Sequence, residues 1–226
     1  MKRMQRLAWV AVGAIGFHAV SRLARRWIHV PVPAFFGPFL DSGIRRWMQP
    51  PERVIARSGL RPGMRVLEIG CGSGAYTVLA ARTVGPRGEV VAFDVQQGML
   101  DQLIAKLRRA ENADIVNVTT MLGDAEDLPF PDDAFDLVML VTALPEIPDQ
   151  ARALGEIHRV LQPEGVLAVT EFLPDPDYPL AMTTIRRGLD AGFVVEALEG
   201  NLWTYTVRFR PAAGIAQVMP AAAKLS

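Results

Sequence analysis

Between residues 65 and 172 the chain alternates short apolar runs with longer segments of helical spacing. The helical spacing predicts helices at 75–84, 98–110 and 149–161. The short runs are rich in β-branched residues and predict buried strands at 65–69, 89–93, 116–122, 135–141 and 165–172. This alternation is typical of an α/β protein with a doubly wound, mostly parallel sheet.

Further elements are predicted on both sides of this region. A short helix at 51–58 ends at Gly59, and a helical stretch covers 181–191. The extended runs "FVVEALEG" and "LWTYTVRFR" are joined by a short link at Asn201, which predicts an antiparallel hairpin at a sheet edge. The predicted folded domain therefore spans 51–211, and the alanine-rich tail, 212–226, is expected to be flexible.

The N-terminal segment has a different pattern. Leu7 to Val20 is uncharged and has Lys or Arg on both sides. As a helix it reaches roughly 21 Å, which is less than the roughly 30 Å of a bilayer's hydrocarbon core. We expect residues 1–30 to form a helix that lies on or shallowly in a membrane, with two alternatives, a helix packed on protein and a cleaved signal peptide. The proline-rich segment 31–50 is expected to be a linker or a cap on the substrate side.

Charge supports the membrane interpretation. The 226 residues carry no net charge, but up to Arg61 there are eleven basic and two acidic residues, a net charge of +9 that the remainder balances with −9. We expect residues 1–28 to meet an anionic membrane surface and expect no nucleic-acid partner. One cysteine, Cys71, excludes an internal disulfide. No metal site is expected.

The stretch "VLEIGCGSGAYT" places glycines at 70, 72 and 74 directly after a predicted strand and before a predicted helix. Such a turn lets a ligand approach the backbone, and the helix start offers free N–H groups. The same residues fit a dinucleotide fingerprint, because Asp94 follows Gly70 at a suitable distance. This motif alone is therefore consistent with a dinucleotide and with another cofactor that contains a nucleoside.

Four stretches together carry a family resemblance: "VLEIGCGSGAYT", "VVAFDVQQGML", "LGDAEDLPFPDDAFDLVMLVTALPEI" and "EIHRVLQPEGVLAVTEF". Their order and spacing resemble the class I S-adenosylmethionine-dependent methyltransferases, especially the ubiquinone/menaquinone methyltransferase-like branch. The resemblance covers roughly residues 51–210 and implies an enzyme with a Rossmann-like sheet, an antiparallel last strand and S-adenosylmethionine as cofactor. A dinucleotide site would leave Glu68 and "GDAEDLPF" unexplained.

The resemblance also implies roles for single residues. Asp94 would accept hydrogen bonds from the ribose hydroxyls, and Asp124 would accept one from the adenine amino group. Glu68 matches the acidic position near the amino-acid end of the cofactor, with a buried carboxylate that holds the turn as the alternative. Met99 would either line the adenine site or belong to the hydrophobic core. The whole expected cofactor-binding set is Glu68, Gly70, Cys71, Gly72, Ser73, Gly74, Asp94, Val95, Gln96, Met99, Asp124 and Ala125.

The acceptor is less constrained, because methyl transfer needs chiefly placement and exclusion of water. Glu146 and Tyr178 follow predicted strands and are candidates for the acceptor side, while no catalytic residue is assigned. The N-terminal segment favours an amphiphilic acceptor, such as a phospholipid headgroup amine or a prenylated quinone. A soluble small molecule and a non-catalytic, cofactor-binding membrane protein are the alternatives. Use of S-adenosylmethionine predicts the cytoplasmic face of the membrane.

Overall fold

The structure is a computed structural model that describes residues 43–175 and 177–212. The predicted N-terminal helix, most of the segment 31–50 and the tail from 213 onward lie outside the described residues. Within the described ranges, no helix is long and apolar enough to cross a membrane.

The described residues form helices and strands in alternation. The helices are α1 (Gly43–Met48), α2 (Pro51–Ser58), α3 (Thr77–Val84), α4 (Gln97–Leu107), α5 (Gln150–Val160) and α6 (Ala181–Asp190). The strands are β1 (Arg65–Ile69), β2 (Glu89–Asp94), β3 (Val118–Leu122), β4 (Phe135–Val141), β5 (Leu161–Phe172), β6 (Phe193–Gly200) and β7 (Thr204–Pro211). Short 3₁₀ turns lie at Ala110–Asn112 and Leu144–Glu146.

The strands form one seven-stranded sheet in the order β3-β2-β1-β4-β5-β7-β6. β1 to β5 are parallel, and β7 runs antiparallel between β5 and β6. Ile69 at the end of β1 is in register with Phe93 on one side and Leu140 on the other, so the strands end at a common edge. The chain moves outward from β1 in one direction and from β4 in the other, which makes a switch point between them. The predicted doubly wound sheet with its antiparallel hairpin is confirmed.

Both faces of the sheet are covered by helices, as alternate side chains of β4 show. Leu137 and Met139 pack into a cluster with residues of α2 and α3. Val138 and Leu140 point the other way into a cluster with residues of α5. All four side chains are fully buried, so β4 lies at the centre of the packed core. The switch point lies at the carboxyl end of this strand and of β1.

Several boundaries differ from the sequence prediction by one to four residues, and the structure explains two of them. α3 begins at Thr77 rather than at 75, because Ala75 and Tyr76 belong to the turn that leaves β1. β5 begins at Leu161 rather than at 165, because Leu161 already pairs with Phe135 ahead of a register shift. The predicted limits of β1, β4 and α2 agree with the structure, and α2 ends at Gly59 in the left-handed conformation, with φ +82°.

Candidate functional site

A cavity of about 370 Å³ lies at the carboxyl ends of the strands, next to the switch point between β1 and β4. The segments that follow β1 to β5 line it, and α1 contributes Arg45. This edge is where open α/β sheets bind their ligands.

The turn after β1 forms one wall. Gly70 and Gly72 have φ of +70° and +53°, a region that L side chains rarely adopt. A Cβ at Gly70 would also lie only 2.5 Å from the Cβ of Ala143. Cys71 lines the cavity as well, but burial raises the pKa of its thiol well above the ordinary value, so it is not a thiolate nucleophile.

Asp94 ends β2 with its carboxylate beside this turn. One oxygen accepts from the backbone N–H of Gly72 at 2.8 Å, and the other accepts from the N–H of Gln96 at 2.9 Å. Burial raises the pKa of Asp94, while these backbone hydrogen bonds act in the opposite direction. Asp94 accepts a further backbone hydrogen bond from Val95. A carboxylate has about four acceptor sites, so the fixed group can also accept from a ribose hydroxyl.

The next stretch of wall comes from the ends of β2 and β3. Val95, Gln96 and Met99 line it from one side, and Asp124 and Ala125 line it from the other. Asp124 is held in place by the backbone N–H of Glu126, which donates to its Oδ1 at 2.9 Å. A flat base can be held between these segments, with the carboxylate of Asp124 at its edge.

Glu68 and Gly74 do not line the cavity, although the sequence placed both in the cofactor set. Glu68 is fully buried, and its Oε2 accepts from the hydroxyl of Thr77 at 2.6 Å. Burial raises the pKa of Glu68 to about 7. Of the two interpretations left open by the sequence, the structure supports the carboxyl that holds the turn to α3. At Gly74 an added Cβ would meet Leu103 of α4, so this glycine serves packing.

The two acceptor-side candidates do line the cavity. Glu146 lies in the 3₁₀ turn after β4, and Tyr178 lies in the loop after β5. The hydroxyl of Tyr178 donates to the backbone oxygen of Leu202 at 2.8 Å, which ties the loop to the hairpin β6–β7. Tyr178 therefore positions this end of the cavity.

The sequence interpretation missed several polar residues at the same end. Arg45 is buried, bonds Asp175 at 3.2 Å and donates to the hydroxyl of Thr142 at 3.1 Å. Glu171, near the end of β5, also lines the cavity. Glu171 could have been found from the sequence, because it lies near the end of a predicted strand. Arg45 gave no such signal, because it lies in a segment for which no helix was predicted.

The cavity thus has two sides with different chemistry. The side built on β1 to β3 offers bare backbone and two acidic acceptors, and it fits a nucleoside that carries hydroxyl and amino donors. The side built on β4, β5 and α1 offers a mixed apolar and acidic surface for a second molecule. S-adenosylmethionine supplies an electrophilic methyl group when bound, and the residues present fit it on the first side.

Comparisons with known proteins agree with this geometry. A family model described as "Methyltransferase domain" matches residues 60–199. The chain is 43% identical over 133 residues to the ubiquinone/menaquinone biosynthesis C-methyltransferase UbiE of Vibrio parahaemolyticus. The aligned region covers 59% of this chain and 50% of that protein. It is 37% identical over 120 residues to a demethylmenaquinone methyltransferase of Staphylococcus aureus, covering 53% of this chain and 48% of that one.

Among solved structures, an S-adenosylmethionine-dependent methyltransferase from Aquifex aeolicus superposes with a TM-score of 0.73 at 25% identity, over 80% of this chain and 100% of that chain. The chain spans about half the length of the curated relatives it matches. The resemblance predicted from the four sequence motifs is confirmed, and S-adenosylmethionine is the methyl donor of the class. The chain belongs to the methyltransferase domain family.

Proposed function

We propose that this protein transfers a methyl group from S-adenosylmethionine to an amphiphilic acceptor at a membrane surface, with a prenylated quinone ring as the acceptor. The observation that carries the proposal is one cavity in which the fixed carboxylate of Asp94 and the bare turn at Gly70 and Gly72 adjoin a second side lined by Glu171 and Tyr178. Such a cavity holds donor and acceptor together and away from water, which is the main requirement of methyl transfer.

Site residues follow from this proposal. The ribose is held by Asp94, and the adenine lies between Val95 and Asp124. The cofactor-binding residues proposed from the cavity lining are Gly70, Cys71, Gly72, Ser73, Asp94, Val95, Gln96, Met99, Asp124 and Ala125. Glu68 acts indirectly by fixing the start of α3 through Thr77.

The surface around the acceptor side supports an amphiphilic acceptor. Four large, exposed apolar side chains, which we call the apolar rim, lie on segments that adjoin the cavity: Trp47, Leu180, Leu202 and Trp203. The ring of Trp203 lies 6.4 Å from that of Phe172, over which the guanidinium of Arg45 also sits. Tryptophan and leucine in this setting suit the interface of a lipid bilayer.

The chain that precedes the described residues supports the same orientation. α1 is the first described element, and it contributes Arg45 to the cavity and Trp47 to the apolar rim. We propose that residues 1–28, with their basic and apolar pattern, hold this side against the cytoplasmic face of an anionic membrane.

The two curated relatives favour the quinone over a phospholipid amine, since their names specify quinone C-methylation in one and demethylmenaquinone in the other. The test is incubation of the purified protein with radiolabelled S-adenosylmethionine and a total lipid extract, followed by separation of the labelled products. We expect label in the prenylated quinone fraction. Label on a phospholipid would show that the acceptor is a headgroup amine rather than a quinone. Label only on soluble compounds would contradict the membrane acceptor. Cofactor binding without any labelled product would indicate a non-catalytic protein.

A further inference from the structure

Glu171 is a buried carboxyl group in the cavity wall that has no hydrogen-bond partner among the residues that the structure describes. Its side chain is 1% exposed, and both carboxyl oxygens are unsatisfied. It lies near the carboxyl end of β5 and lines the acceptor side of the cavity. A polar group buried without a partner is costly, so such a group in a cavity wall indicates a ligand that completes it.

Three hydrogen-bond donors that share the strand pair or the cavity wall with Glu171 have other partners. Tyr205, its partner in the β5–β7 pair, donates to the backbone oxygen of Pro179 at 2.9 Å. Tyr178 donates to Leu202, and Arg45 donates to Asp175. Because Glu171 lines the cavity, a donor on a molecule in the cavity can complete it.

The charges that face Glu171 are mostly negative. Asp175 and Asp177 approach it from the loop after β5 and Glu146 from the turn after β4, while Arg187 of α6 acts in the opposite direction. Burial, reinforced by these carboxylates, raises the pKa of Glu171 well above its ordinary value. A carboxylate with a raised pKa is a stronger base than an exposed one.

We propose that Glu171 binds a ring hydroxyl of the methyl acceptor and accepts its proton. This inference rests on the proposed function and takes the reduced, dihydroxy form of the prenylated quinone as the species that binds, because the oxidised quinone has no ring hydroxyl to donate. A ring hydroxyl can donate to a lone carboxylate, and loss of its proton makes the adjacent ring carbon nucleophilic.

Protons and electrons balance with Glu171 as the base and solvent as the final proton acceptor. The O–H bond breaks and its proton passes to the carboxylate of Glu171, which leaves the electron pair on the ring. The adjacent ring carbon uses that pair to bond to the methyl group, whose former bonding pair stays on the donor's sulfur. This carbon then releases its hydrogen to solvent as a proton, the C–H pair restores the aromatic ring, and Glu171 returns its proton to the ring oxygen.

Glu171→Gln tests the proton transfer, because glutamine keeps the shape and cannot take a proton. We expect kcat to fall by about 100-fold or more, with a much smaller change in the KM of the acceptor. The kcat of the wild type should rise with pH as Glu171 ionises, and this rise should be absent in the variant. Glu164→Gln is the matched control, since Glu164 is exposed on the same strand, far from the cavity. A Glu171→Gln enzyme with the kcat and pH profile of the wild type would overturn the proposal.

A binding experiment tests the hydroxyl contact without turnover. The probes are a 1,4-dihydroxynaphthalene with a short alkyl chain and its di-O-methyl ether, titrated into protein loaded with S-adenosylhomocysteine. We expect the wild type to prefer the hydroxylated probe by about tenfold or more. Glu171→Leu, which removes a buried carboxyl without adding a polar group, should fold with an undiminished Tm and lose this preference. Equal binding of both probes by the wild type would contradict the inference.

Failure of the proposed function has a different signature. If the wild type binds S-adenosylmethionine and methylates an acceptor while the Glu171 variants match it in rate and preference, the inference about Glu171 alone is wrong. If the wild type labels no lipid and prefers neither probe, the proposed function and this inference are both wrong.

Discussion

The carboxylate of Asp94, at the end of β2, accepts a 2.8 Å hydrogen bond from the backbone N–H of Gly72, in the turn after β1. The bond joins the ends of two neighbouring strands across 22 residues of sequence. It also aims a carboxylate into the cavity while the backbone beside it stays bare. The proposed cofactor site depends on this pairing of an acid with a side-chain-free turn.

Replacement of Asp94 should weaken cofactor binding. Asp94→Ala removes a charged acceptor from the ribose hydroxyls and releases the N–H of Gly72, so we expect a loss of about 1.5 to 3 kcal/mol in the binding of S-adenosylmethionine. Isothermal titration calorimetry on the folded variant measures it. Asp101→Ala, at an exposed aspartate of α4, is the control that should bind normally. Unchanged affinity in Asp94→Ala would refute the ribose assignment.

The turn itself can be tested at Gly70. An alanine there combines a left-handed backbone with a Cβ placed 2.5 Å from that of Ala143, so we expect lower stability and lower cofactor affinity together. Gly63→Ala provides the comparison, because Gly63 also has a positive φ, +86°, but nothing lies within 4 Å of its added Cβ. Its effect should be limited to about 1 to 2 kcal/mol of backbone strain. Equal stability and cofactor affinity in the two variants, measured by chemical unfolding and calorimetry, would show that the contact with Ala143 is unimportant.

A bulkier change at Gly72 should be more damaging to binding. Gly72→Val places a branched side chain at φ +53°. The side chain is attached next to the N–H that donates a hydrogen bond to Asp94. We expect no measurable binding of S-adenosylmethionine in a titration that readily detects the wild type. A normal titration curve would mean that the cofactor does not approach the turn at this point.

The sequence predicted the local features of this site well and the long-range ones poorly. The strand limits of β1 and β4 and the position of Asp94 follow from apolar runs that end at a turn, which is local information. Arg45 and Asp175 are 130 residues apart and meet only because α1 folds over the loop after β5. No pattern in either segment indicates the partner in the other.

Glu68 shows a second limit. A carboxylate at a strand end before a glycine turn is equally consistent with binding a ligand and with holding the next helix. The direction of its side chain decides between them, and only the structure shows that its partner is Thr77.

This burial of Glu68 predicts a pH dependence of stability. Its pKa in the folded protein, about 7, is raised from an ordinary value of 4.5, so the folded state retains a proton that the unfolded state loses. The contribution of Glu68 to stability is therefore fully present below pH 4.5 and is lost as the pH rises to about 7. Glu68→Gln, which resembles the neutral acid, should gain stability relative to the wild type over that interval. Denaturant unfolding of both proteins at several pH values measures the difference, and a pH-independent difference would contradict the raised pKa.

The apolar rim should contribute to membrane contact. Leu202→Glu places a charge at the hairpin between β6 and β7, so we expect weaker binding to vesicles that contain phosphatidylglycerol and slower methylation of a long-chain acceptor. Val116→Glu is the matched control, because Val116 is 83% exposed, as Leu202 is at 78%, but precedes β3 at the opposite edge of the sheet. Equal loss of vesicle binding in both variants would assign the effect to charge rather than to the rim.

Removal of residues 1–28 should separate membrane attachment from cofactor binding. The deletion takes away six of the basic residues and the uncharged run from Leu7 to Val20, while the turn at Gly70 and Asp94 belong to the folded domain. We expect the shortened protein to leave phosphatidylglycerol vesicles, to bind S-adenosylmethionine as before, and to lose activity on a long-chain acceptor much more than on a short-chain, water-soluble one.

Salt should release the full-length protein only in part, because screening weakens the contribution of the basic side chains and leaves apolar insertion in place. Co-sedimentation at low and high salt measures both effects: equal binding by the two proteins would place the attachment in the apolar rim, and no binding by either would favour a soluble acceptor.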